Sequence, residues 1–205
     1  MSRQLSNRAR NATAKHDNSL INAKTYYDQL DYRLDVKKRL IYIEQDIDSY
    51  TPGNFLIKAS IIQQLSNDKK SPLTAVITNF GGDAHGMLGV VDAIRSYPLK
   101  INTLGLGNVD SAAVYILAAG TGRRYLSPNS WVMIHTLSSW VAGKTDDIDI
   151  EAQQLKRLQN QCHELLASFS KKSMVFWKDM TRTDFHISAN DALRYGLIDE
   201  IKGPF

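Results

Sequence analysis

A serine, a histidine and a paired glycine stand where this chain could do nucleophilic chemistry at a carbonyl group. Ser111 lies in Val109-Asp110-Ser111-Ala112-Ala113, between an apolar β-rich run and an Ala-rich segment. Such a junction lifts a side chain to the edge of a sheet and offers the next backbone N–H as an oxyanion donor. An N-capping serine occupies the same place in the pattern. His135 ends the run Trp131-Val132-Met133-Ile134. A histidine there is either a hydrogen-bonded core residue or a general base for a serine, and the second role needs a carboxylate on its other ring nitrogen. The chain holds 21 acidic residues, and spacing does not choose among them. Phe80-Gly81-Gly82-Asp83 follows another apolar run, as does Gly105-Leu106-Gly107 on the way to Ser111. Paired glycines of this kind make a plain tight turn, or they expose N–H groups that stabilise an oxyanion by roughly 3–4 kcal/mol each.

Other chemistries lack their signatures. No G-x-G-x-x-G opens a helix and no G-x-x-x-x-G-K-[ST] occurs, which argues against a nucleotide-binding loop. Ser111 is not framed by G-x-S-x-G. His16, His85, His163 and His186 show no H-E-x-x-H or comparable spacing, so no metal and no organic cofactor is expected.

Around these residues the pattern predicts a scaffold. Leu40–Ile43, Leu73–Thr78, Ile101–Leu106 and Trp131–His135 read as buried strands, and Asn54–Leu65, Gly86–Tyr97 and Ser111–Ala119 as helices. Their alternation predicts parallel βαβ units in an α/β fold. A longer helix is expected over Asp147–Lys171, with Ile148, Ala152, Leu155, Leu158, Cys162, Leu165, Leu166 and Phe169 in one apolar stripe. A helix of about 25 residues spans nearly 40 Å. The stripe therefore either packs wholly within its own chain or meets another subunit in part. Ser188 and Asp191 have the spacing of a capping box, and Gly196 supplies a helix stop.

Composition sets the outer bounds. A chain of 205 residues with 43% hydrophobic and 22% charged residues fits one globular domain with an appended tail. No apolar run approaches the ~20 residues of a bilayer span. Arg3, Arg8, Arg10 and Lys15 precede the first acid, Asp17, and removing them leaves 21 basic against 21 acidic residues. The net charge of +4 is thus that of residues 1–15, within a polar arm over residues 1–34, ahead of a domain over 35–205 that has no nucleic-acid-binding field. Cys162 is the single cysteine, so no internal disulfide forms, in keeping with a reducing compartment. The N-terminus lacks an apolar signal region; a short organellar transit segment stays open.

Taken together, the chain from about Lys38 to Ile201 resembles the ClpP family, the proteolytic subunits of the Clp protease. The anchors are Asn79-Phe80-Gly81-Gly82, Gly107-x-x-x-Ser111, Leu117-Ala118-Ala119-Gly120, Ser127-Pro128-Asn129-Ser130, Met133-Ile134-His135 and Asp147-Ile148-x-Ile150. They continue through Asp184-Phe185-x-Ile187-Ser188-Ala189 to Tyr195-Gly196-Leu197-Ile198-Asp199. The resemblance implies a ClpP/crotonase-like α/β fold of repeated ββα units with a protruding handle helix. It implies Ser111 as nucleophile, His135 as general base and acid, and Asp184 as orienting carboxylate, with the N–H groups of Gly82 and Ala112 as oxyanion hole. It further implies a self-compartmentalised, ATP-dependent serine endopeptidase of unfolded polypeptides, in stacked heptameric rings served by an AAA+ unfoldase. The setting would be the cytoplasm or an organelle of bacterial origin, without membrane or nucleic-acid partners.

The chain also departs from that pattern. Phe80 replaces a usual Pro, Thr136-Leu137 a usual Gln-Pro, and Ala113 a common Gly. Asp110 stands where a small apolar residue is usual; its carboxylate either repels the developing oxyanion or attracts the His135 imidazolium, or its side chain points away into solvent or to Arg123 or Arg124. These departures motivate an alternative, a catalytically weak or inactive ring subunit with a scaffold role. A crotonase-type thioester enzyme leaves Ser111, His135 and Asp184 without a purpose.

Overall fold

A computed structural model describes residues 31–203. Eight strands form one sheet: β1 (Leu34–Asp35), β2 (Leu40–Ile43), β3 (Leu73–Asn79), β4 (Ile101–Asp110), β5 (Arg124–Leu126), β6 (Trp131–Ile134), β7 (Phe185–Ser188) and β8 (Glu200–Ile201). Among the described residues six helices accompany them: α1 (Thr51–Leu65), α2 (Ala84–Ser96), α3 (Ala112–Ala118), α4 (Thr145–Phe169), α5 (Met174–Met180) and α6 (Ala189–Tyr195). The sheet runs β1-β2-β3-β4-β5-β8, with β6 joined to β4 and β7 joined to β6. β2 through β5 pair in parallel, as strand–helix alternation predicts. Most of the expected arm, residues 1–30, lies outside the described residues, but Leu34 at its end is 5% exposed and belongs to the core.

β4 carries the geometry that matters. It does not stop at Leu106, as the Gly105-Leu106-Gly107 motif suggests, but continues to Asp110. Opposite β3 the register slips, Ile77 facing Gly105 while Asn79 faces Val109. The extra residues form a bulge in which Gly107 takes φ +64°. The first half of β4 pairs with β5, through Thr103–Gly105, and the second half with β6, through Asn108–Asp110. One long strand thus serves two neighbours, and its redirected end delivers Ser111 to the edge.

α3 is buried at every residue, which an Ala- and Leu-rich sequence without charges permits. α1 begins three residues before the expected start because Asp48 accepts from the Thr51 N–H and hydroxyl, both at 2.9 Å, and Pro52 suits a first turn. α2 begins at Ala84 because the Asp83 side chain caps Gly86 at 2.7 Å. α6 has the predicted cap at Ser188 and ends at Gly196, in the left-handed region at φ 79°.

α4 spans 25 residues. Its second half buries Leu158, Cys162, His163 and Leu166 in its own chain. Its first half does not: Ile148 is 39% and Ile150 67% exposed. The apolar stripe is thus divided between the core and the open surface. Among the described residues no helix is long and apolar enough to cross a membrane.

Candidate active site

Ser111 follows β4 directly and precedes α3, and its backbone is unusual. With φ 53° and ψ −123° it lies in a region that a residue bearing Cβ rarely adopts. The surroundings hold it there. Its N–H donates to the Met133 carbonyl at 2.7 Å. On the other side sits Gly81, where an added Cβ would lie 2.7 Å from the Ser111 Cβ. The Ser111 side chain makes no cap hydrogen bond to α3. The N-cap reading therefore describes its place in the chain and not its hydroxyl, which is left for other chemistry.

The glycine pair is built against the same point. The Asn79 side chain donates to the Gln45 carbonyl at 2.6 Å and accepts the Gly81 N–H at 2.7 Å. The Ile47 N–H donates to the Gly81 carbonyl at 3.0 Å, and Ile47 in turn accepts the Asp83 N–H at 2.7 Å. An added Cβ at Gly82, φ +144°, would fall 2.2 Å from the Ile47 carbonyl oxygen. This lacing leaves the Gly82 N–H without an acceptor among the described residues. Ala112 opens α3, and the first N–H groups of a helix have no intrahelical partner. The closeness of the Ala112 nitrogen to the Gly81 Cβ position, 3.2 Å, brings both candidate oxyanion donors to one locality.

Sheet register brings in the other candidates. Asp110 pairs with Met133 across β4 and β6, so Ser111 stands beside the end of β6. Ile134 pairs with Phe185 across β6 and β7. The ladder ends at that pair; His135 follows Ile134 and Asp184 precedes Phe185 at the two strand ends. The three strand ends thus gather Ser111, His135 and Asp184 at one edge. No hydrogen bond among the described residues links the Ser111 hydroxyl, the His135 ring and the Asp184 carboxylate; His135 Nδ1 lies instead 2.5 Å from the Thr136 carbonyl oxygen.

Asp110 corrects an expectation. It does not reach solvent, Arg123 or Arg124, because it is only 8% exposed and Arg124 is bound to Asp199 at 2.6 Å. Its side chain shares a sheet face with Met133 and, across β7, with His186. Burial pushes the Asp110 carboxyl above the ordinary carboxylate value, against the opposing pull of His186, the Met133 N–H and His135. Phe80, another departure, is 74% exposed beside the glycine pair. Asn79 is the brace for the turn that sequence reasoning missed; a polar residue closing a buried strand just before the glycine pair was the available signal.

Among the described residues no group of His, Cys, Asp or Glu side chains is arranged to hold a metal ion. The comparison with known families converges on the resemblance drawn from the motifs. A family model described as Clp protease matches residues 23–204, nearly the whole chain and every element of the site just described. The mixed α/β architecture is consistent with that family. On that match the chain belongs to the Clp protease family, a family of peptidases.

Proposed function

We propose that this chain is the serine endopeptidase subunit of a self-compartmentalised, ATP-dependent protease. One observation carries the reading: a serine held at φ 53° on a glycine floor, whose side chain does not cap the helix it precedes. His135 Nε2 takes the Ser111 proton as the oxygen attacks a peptide carbonyl. The Gly82 and Ala112 N–H groups receive the developing oxyanion. Asp184, one step beyond the β6–β7 pairing, stabilises the imidazolium. Collapse of the tetrahedral intermediate expels the amine, which takes the proton from His135. Water then attacks the acyl-enzyme with His135 again as base. No cofactor is required at any step.

The exposed half of α4 supports assembly. Ile148 and Ile150 leave apolar surface that a second copy would cover, consistent with stacked heptameric rings joined along this helix. Such a chamber would receive unfolded polypeptides from an AAA+ unfoldase, in the cytoplasm or in an organelle of bacterial origin. The alternative, a weak or inactive scaffold subunit, draws on the buried Asp110 and on His135 Nδ1 meeting Thr136 in place of Asp184. Fluorophosphonate labelling read by intact mass separates the two. Stoichiometric labelling of the assembled protein that disappears in Ser111→Ala is expected. An assembled ring that takes no label makes the chain a scaffold.

A further inference from the structure

Among the described residues Asp110 is the only buried carboxylate, and it joins none of their ion pairs. A carboxylate taken out of water without a cation to meet it costs stability, and packing gives no reason to keep one. A neutral side chain would fill the same place. Such costs persist where a site uses the charge.

The sheet order says which charge Asp110 serves. Asp110 immediately precedes Ser111, whose N–H is tied to the Met133 carbonyl at 2.7 Å. Asp110 pairs with Met133 and Met133 with His186, so the three form one row across β4, β6 and β7 and share a face of the sheet. His135 stands two residues past Met133, just beyond the end of the same strand. The groups that pull the Asp110 carboxyl toward its charged form are His186, the Met133 N–H and His135, all from this flank. Asp184, the residue before β7, brings a second carboxylate to it. The other flank is silent. β3 holds no titratable side chain and α3 no charged one. The glycine turn that would receive an oxyanion follows β3, across β4 from β6. Of the two effects open to this carboxylate, repulsion of an oxyanion and attraction of an imidazolium, the sheet order favours the second.

We infer that Asp110 is a positioning residue for the general base: its carboxylate, held in the sheet beside Ser111, stabilises the imidazolium that His135 becomes, alongside Asp184. The inference rests on reading His135 as the base. When the Ser111 oxygen attacks, its proton passes to His135 and the ring gains a unit positive charge; when the amine leaves, that proton goes with it. Asp110 neither gives nor takes a proton in this cycle. It acts through the ring by attraction alone, which inside a protein reaches over several ångströms.

The test uses the assembled full chain with a fluorogenic peptide, fluorophosphonate labelling and thermal unfolding. Asp110→Asn keeps the shape and removes the charge. At neutral pH it is expected to lower kcat at least about 3-fold with KM within about 2-fold, and to slow labelling in parallel, while the unfolding temperature holds or rises. A protein that is slower yet no less stable is a result that damaged packing does not produce. The ratio of the unsubstituted rate to the Asp110→Asn rate should then shrink toward unity as pH falls, because the carboxyl, raised by burial, takes up a proton and becomes as neutral as asparagine. A smaller loss of kcat, no change or a gain overturns the inference, a gain marking the oxyanion as the charge that Asp110 opposes. So does a loss carried in KM, a ratio that stays constant with pH, or a slower Asp110→Asn protein that unfolds at lower temperature. Should Asp110→Asn not assemble, Asp110→Ala is judged on kcat and on the pH ratio alone. If the unsubstituted protein takes no label at all, the peptidase reading fails first and the inference with it; if it labels normally and Asp110→Asn labels as fast, only the role of Asp110 fails.

Discussion

Replacing Gly81 by alanine tests the glycine floor beneath Ser111. The added Cβ would lie 2.7 Å from the Ser111 Cβ, 3.1 Å from the Asp110 carbonyl oxygen and 3.2 Å from the Ala112 nitrogen, at φ +109°. Ordinary contact between carbon atoms is about 3.5–4.0 Å, so Ser111 and the new methyl must separate by about 1 Å. The first two of those atoms belong to Ser111, the proposed nucleophile, and its predecessor, and the third to Ala112, a proposed oxyanion donor. A misplacement of about 1 Å costs on the order of 100-fold in rate, or roughly 2.7 kcal/mol of barrier. Backbone strain at this φ adds about 1–3 kcal/mol to the loss of folding stability. The assay is the fluorophosphonate labelling rate on assembled protein, with thermal unfolding measured alongside. Gly107→Ala is the control, since φ is +64° but nothing lies within 4 Å of its Cβ. It should lose about 1 kcal/mol of stability and label normally. A Gly81→Ala protein that labels at the unsubstituted rate refutes the argument that Gly81 seats the serine.

Two further predictions concern acidic groups. Burial raises the Asp110 pKa, so the stability associated with its protonated form is present below about pH 4, the unfolded value, and is lost as pH rises through the folded value. Asp110→Asn should therefore raise the unfolding temperature at neutral pH by removing a buried charge, and the gain should vanish in acid; equal curves at all pH values would refute it. Asp199 behaves in the opposite sense, its carboxyl held below the ordinary range by hydrogen bonds from Arg124 at 2.6–3.1 Å. Its contribution is present above about pH 4 and lost as pH falls through the lowered value. Asp199→Asn should cost about 1.5–3 kcal/mol at neutral pH, measured by denaturant unfolding, and much less in strong acid.

What the sequence discloses, and what it withholds, follows from the range of the interactions involved. β2, β3 and β6 are legible because apolar residues concentrate in short runs, and α6 because Ser188, Asp191 and Gly196 punctuate it locally. The end of β4 is misread because glycines that signal a turn here make a bulge inside a strand, a choice that depends on β5 and β6 both claiming β4 as a partner. β7 escapes notice since Phe185-His186-Ile187-Ser188 is short and half polar, and without β7 nothing brings Asp184, the residue before it, to the end of β6 where His135 lies. Ser111 is legible as a junction residue, whereas its φ is not, because Met133 and Gly81 impose it from other strands and loops. The same holds for Asp110, whose neighbours His186 and His135 come from β7 and the end of β6. The residues that perform chemistry in such a site carry local signatures because a turn or a strand end must present them. Those that aim the chemistry do not, because any element that happens to pack nearby can supply them.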